Sequence, residues 1–108
     1  MNREEVLVIY DEIVNQCGRF ERKGKTMPYT SANGHMFSLL NKDGELGMRF
    51  SKDVHKAYLE KYKTEPFRSY NANMKGYIAI PETMLDDQEQ LIELLNESYE
   101  YVLTLEPK

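Results

Sequence analysis

Two dipeptides, Asn33-Gly34 and Asp43-Gly44, constrain this chain more than any other feature it has. Both central residues of a type I′ turn need positive φ, which Asn, Asp and Gly supply at least cost, so each pair marks a two-residue β-hairpin. They divide the middle of the chain into a three-stranded meander, about 27–32, 35–41 and 45–50. Two-residue loops pair Ala32 with His35, Thr30 with Phe37, Lys42 with Glu45, Leu39 with Met48, and Phe37 with Phe50. Opposed residues share a face. Phe37, Leu39, Leu46, Met48 and Phe50 then form the core side, with Ser38, Gly47 and Arg49 on the other.

Helices are expected on both sides of the meander. Val6, Ile9, Tyr10, Ile13, Val14 and Cys17 recur at helical spacing over 3–17, with Asn2 placed to cap the start and Gly18 to close the end. Ser51 caps a second helix over 52–63, with Val54, Ala57, Tyr58 and Tyr62 inward and Pro66 stopping it. Residues 67–70 and 77–81 read as two more strands joined by the turn-rich stretch 71–76. A last helix covers 87–104, where Asp87 and Gln90 have capping-box spacing and Leu91, Leu94, Leu95, Tyr99 and Val102 make the apolar stripe. The order α-β-β-β-α-β-β-α implies a two-layer α+β fold, an antiparallel sheet packed with helices.

At 108 residues this is one domain, 1–108, long enough for a real core. No apolar run approaches the ~18 residues that span a bilayer. The N-terminus lacks a signal-peptide layout, and one cysteine suits a reducing compartment, so the expected location is cytoplasmic. Charge is uneven: net −3 over 1–18, net +5 over 19–63 and net −6 over 64–108, for −4 in all. The acidic total argues against a dedicated nucleic-acid binder.

No residue pattern names a reaction. Five residues separate Gly18 from Gly24-Lys25-Thr26 where a phosphate loop has four, and the segment runs from helix to strand rather than the reverse. Cys17 sits on an apolar stripe at a helix C-terminus, which disfavours a thiolate. His35 and His55 have no partners at metal-ligand spacing. Glu82, Asp86, Asp87 and Glu89 read as acids stocking a helix N-terminus. No catalytic residue, cofactor or metal is expected. Arg19, Arg22, Lys23 and Lys25, with Phe20 among them, are the one candidate anion-binding cluster, and would carry any weak nucleic-acid contact.

Eight tyrosines and six methionines suit either a core or an interface. If Asn33-Gly34 is a strict two-residue turn, Met27, Tyr29, Met36 and Leu40 share the face opposite Phe37 and Met48 and form an apolar patch outside the core. A homodimer is the commonest way to bury one. A three-residue turn with a bulge would instead swing Met27 and Tyr29 into the core.

Gly24-Lys-Thr-Met-Pro-Tyr29, Gly34-His-Met-Phe37, Leu46-Gly-Met-Arg49, Pro66-Phe67, Met74-Lys-Gly-Tyr77 and Pro81 with Leu85-Asp-Asp87 follow one another in an order that resembles the TfoX N-terminal-domain-like family. That family is named after a bacterial regulator of competence for DNA uptake. The resemblance spans about 20–105. It implies the α+β fold reached above and a regulatory role, with no catalytic residues to carry over. The expectation is a small non-enzymatic module that binds a protein partner or itself, without membrane or metal.

Overall fold

A computed structural model describes residues 1–108. Its elements are α1 (Arg3–Cys17), β1 (Tyr29–Ala32), β2 (His35–Leu40), β3 (Leu46–Arg49), α2 (Lys52–Lys61), β4 (Pro66–Ser69), β5 (Ala72–Ala79) and α3 (Gln88–Leu103). The five strands form one antiparallel sheet in the order β1-β2-β3-β5-β4. The α+β class and the element order are those read from the sequence.

Helix ends follow their capping chemistry. Asn2 and Glu5 form a reciprocal capping box on α1, and Gly18 closes it at φ 66°. The Asp87 carboxylate accepts from the Gln90 amide at the start of α3. The second helix stops two residues earlier than expected. Lys63 turns left-handed at φ 51°, and Lys63 and Thr64 donate back to the Glu60 and Leu59 carbonyls. Ala57 is exposed, and Leu59 takes the inward place expected for it.

All three helices cover one face of the sheet. Val6, Tyr10, Ile13 and Val14 of α1 and Leu91, Leu94, Leu95 and Val102 of α3 meet Phe37, Leu40, Leu46, Met48, Phe50 and Ile78 in one core. Polar groups inside it are paired. Tyr10 Oη lies 2.5 Å from Ser38 Oγ, which also bonds Thr30 Oγ1. The Ser98 hydroxyl reaches the Phe37 carbonyl at 3.0 Å and the Arg49 carbonyl at 2.5 Å.

The first hairpin turns at Asn33-Gly34, with φ 56° and 78°, and Ala32 pairs with His35 as expected. The register then slips: Thr30 faces Ser38 instead of Phe37, and Tyr29 faces Leu39. Phe37 is the extra residue of a β-bulge, so Phe37 and Ser38 both look toward the helices. The turn is the strict two-residue one and not the three-residue alternative; the bulge lies further along β2 and leaves Met27 and Tyr29 off the helix-side core.

The second hairpin needs a correction of one residue. Gly44, at φ 84°, donates to the Asn41 carbonyl at 3.1 Å, and Asn41 Oδ1 accepts from the Asp43 and Glu45 amides. The loop therefore has three residues, a tight turn followed by a left-handed glycine. Leu40 pairs with Leu46, Leu39 with Gly47 and Ser38 with Met48, replacing the Lys42–Glu45, Leu39–Met48 and Phe37–Phe50 pairs. Leu46, Met48 and Phe50 keep their core side. Leu39 and Ser38 exchange faces, and Leu40 joins the helix-side core.

The second strand pair is longer than expected. Ser69 and Ala72 flank a two-residue turn, Tyr70-Asn71, in which both residues take positive φ (54° and 62°) without a glycine.

Candidate functional site

No helix contributes to the other side of the sheet. Leu39 of β2, Phe67 of β4 and Tyr77 of β5 form a small buried cluster there, roofed by half-buried Met27, Tyr29, Met36, Met74 and Ala79. The Phe67 ring lies directly over Gly47, where any Cβ would collide with it. Tyr77 stands 6.0 Å from that ring, centre to centre, and its hydroxyl donates 2.7 Å to the Met36 carbonyl. Burial pushes the Tyr77 phenol well above its ordinary range.

Three of the four residues expected in an apolar patch are therefore brought together here. Met27, Tyr29 and Met36 lie on this outer face, and Met74 joins them from β5. Leu40 does not: the one-residue slip in the second hairpin turns it into the helix-side core, where it is fully buried.

One end of this face opens into a cavity of about 340 Å³. Met27 lines it together with Lys42, Arg68, Ser69, Tyr70 and Asn71. Two features of the cavity are unusual. Tyr70 is 67% exposed and held in the left-handed region, which a bulky residue adopts only under constraint. Ser69 is buried, and its hydroxyl is the one buried side-chain polar atom in the chain without a hydrogen-bond partner. Such a group is normally satisfied. Neither Ser69 nor Tyr70 stands out in the sequence, because Tyr-Asn is not a turn signal and only the β4 register turns Ser69 inward.

The basic segment is dispersed. Arg22 grips the Asp11 carboxylate with Nε and Nη2 at 2.7 and 3.1 Å, which raises its pKa further, and donates to the Gly24 carbonyl at 2.7 Å. Arg19 lies 4.6 Å over the Tyr99 ring and reaches Asn96 and Glu100 of α3 at 3.2 and 3.4 Å. Lys23 and Lys25 are exposed. Arg19 and Arg22 thus serve to tie the 19–25 segment to α3 and α1.

The other sequence candidates have structural partners. His35 Nε2 bonds the Glu106 carbonyl at 2.8 Å and His55 Nε2 the Tyr77 carbonyl at 3.0 Å. Cys17 is half-buried, and burial pushes its thiol up. Glu82 accepts from the N-terminal amine at 2.5 Å, which holds its carboxyl below the usual range. No group of three or more His, Cys, Asp or Glu side chains is placed to hold a metal ion. No helix is long and apolar enough to cross a membrane.

Residues 29–102 match the family model of the TfoX N-terminal domain. No curated protein matches the chain.

Proposed function

The chain belongs to the TfoX N-terminal domain family, and on that premise we propose that it is a non-enzymatic, cytoplasmic regulatory module that docks a protein partner on the outer face of its sheet. The observation that carries this reading is the composition of that face. Its apolar cluster is covered mainly by methionine and tyrosine side chains, with Ala79, and it runs through Met27 into a cavity beside the exposed Tyr70. Met is adaptable and Tyr amphipathic, the two properties that interface cores use. A partner side chain with an apolar body and a polar tip, entering the cavity, would bury Tyr70 and bring a hydrogen-bonding group to the Ser69 hydroxyl.

The alternative of a nucleic-acid surface along 19–25 has less support, since Arg19 and Arg22 are already engaged with Glu100 and Asp11. The test is site-specific photo-crosslinking in the native host, with a benzophenone amino acid at Met36, Tyr70 or Leu103. Adducts of one defined mass at Met36 and Tyr70, and none at Leu103 on α3, are expected. Adducts of twice the chain's mass would make the partner a second copy. Crosslinks confined to Leu103, or to nucleic acid, would overturn the reading.

A further inference from the structure

A second cavity, about 440 Å³ and separate from the one beside Ser69, lies where the end of β3, the first turn of α2 and the start of β5 converge. Its charged lining is all of one sign. Arg49, Lys52 and Lys75 face it with His55, and no Asp or Glu is among its lining residues. That is unexpected in a chain with 18 acids against 14 bases. The protein pairs two of its arginines with acids, Arg22 with Asp11 and Arg19 with Glu100. Arg49, Lys52 and Lys75 take part in none of its ion pairs. The only partner of the Arg49 guanidinium is the face of the Tyr101 ring, 5.7 Å away.

Like charges held around one concave space repel one another, and an anion between them removes that cost. Arginine offers a planar fork matched to phosphate oxygens, and lysines add compact point charges. Among the remaining lining residues Asn73 is polar, while Phe50, Pro66, Met74 and Tyr101 are on hand for an organic body. The volume falls within the roughly 300–1,000 Å³ typical of small-molecule sites. His55 is held by its bond to the Tyr77 carbonyl, so one wall of the cavity is fixed before anything binds.

We propose that this cavity is a binding site for a phosphorylated small molecule, with the phosphate or diphosphate among Arg49, Lys52 and Lys75 and the organic body against Tyr101. A nucleoside diphosphate and a sugar phosphate share this chemistry, and the experiment separates them. The site stands apart from the docking face in everything except Met74, which lines this cavity and also packs against the outer cluster.

The test is a titration followed by amide chemical shifts at low salt, about 50 mM NaCl. The probes are pyrophosphate, a nucleoside diphosphate, a sugar phosphate and a single-stranded oligonucleotide. Saturable shifts at Lys52, His55, Lys75 and Gly76 are expected below about 1 mM for at least one small phosphate. Stronger binding of the nucleoside diphosphate than of pyrophosphate would place the base on Tyr101. Stronger binding of the sugar phosphate would place a sugar there. Lys52→Gln and Lys75→Gln, at exposed positions where the fold should tolerate the change, should each weaken binding about tenfold. Arg49→Gln should abolish it, and Lys23→Gln with Lys25→Gln should leave it unchanged. Absence of saturable shifts with all the small probes would overturn the proposal. So would equal losses from the Lys23 and Lys25 variants, or an oligonucleotide that binds more tightly than every small phosphate.

Discussion

On the helix side of the sheet, 17 buried residues from α1, α3, three strands and the segments that follow β3 and β5 make one core, with α2 packed against its edge. On the outer side the buried hydrophobic cluster is only Leu39, Phe67 and Tyr77, and the layer above it is side chains alone. The two sides also differ in how they treat polar groups. Inside the helix-side core, Tyr10, Thr30, Ser38 and Ser98 bond to one another or to carbonyls. On the outer side Ser69 has no partner. A sheet face closed by helices is finished within the chain. A face closed by methionines and tyrosines is finished only to the extent that those side chains settle, and it leaves room for something else.

The largest test of this contrast is a pair of truncations. Met48 and Leu39 are both fully buried, but on opposite sides. Met48→Ala leaves a hole among residues fixed by two helices, so it should cost near the top of the roughly 2–5 kcal/mol range for such changes. Leu39→Ala leaves its hole under flexible methionines that can sink into it, and should fall near the bottom of the same range. Denaturant titrations that gave equal losses would erase the distinction between the two sides.

Gly47→Ala comes next. A methyl group at Gly47 meets the Phe67 ring, which belongs to a strand two places away in the sheet. Overpacking of this kind costs about 1–3 kcal/mol. Phe67→Leu in the same molecule should recover part of the loss, because the smaller side chain frees the space. No recovery would mean that the backbone of β3, and not the ring, is what resists.

Each side also buries one tyrosine, and the pair sharpens the comparison. Tyr10→Phe removes a hydroxyl from a chain that water does not reach, at a cost of about 1–2 kcal/mol. Tyr77→Phe frees the carbonyl of half-buried Met36, which solvent can satisfy, so its cost should stay below about 1 kcal/mol. Burial raises both phenols above their unfolded value. The unfolded chain therefore loses these protons near pH 10 while the folded chain keeps them. Their contribution to stability is complete below about pH 10 and declines as the pH rises beyond it. Urea titrations at about pH 9 and pH 11 should show that decline, smaller in Tyr10→Phe than in the wild type. An unchanged decline would show that Tyr10 ionises freely in the folded state.

How far these sides could be read from the sequence depends on what sets each residue's face. Helix stripes and caps are local, so Asn2, Gly18, Ser51 and Asp87 mark the helices close to where they stand. Both hairpins were visible in their glycines. Their registers were not, because the side chain of Asn41 lengthens one loop and the bulge at Phe37 leaves no mark in composition. Those two slips decide that Leu40 is core and Leu39 is outer face. The Ser69 cavity depends on a turn with no glycine. The basic cavity gathers Arg49, Lys52 and Lys75 from three elements; the net charge of the middle segment hinted at an excess of bases around Arg49 and Lys52, while Lys75 lies in the acidic stretch 64–108.

The smallest expected effect is the one whose sign matters most. Ser98 and Ser69 are both buried serines, one on each side of the sheet. The Ser98 hydroxyl joins α3 to the carbonyls of Phe37 and Arg49, so Ser98→Ala strands those acceptors and should cost about 1 kcal/mol. The Ser69 hydroxyl is 7% exposed as a residue and bonds to nothing, so it has lost its water without replacement. Ser69→Ala removes that penalty and should stabilise the isolated protein, by about 0.5–1 kcal/mol once the small void is counted. In the photo-crosslinking experiment the same variant should weaken capture at Tyr70, since the hydroxyl is then missing from the bound state. A gain in stability together with a loss of capture is the signature of a group kept for binding. A loss of stability would show instead that Ser69 has a partner in the free protein, and that the outer face is as complete as the helix side.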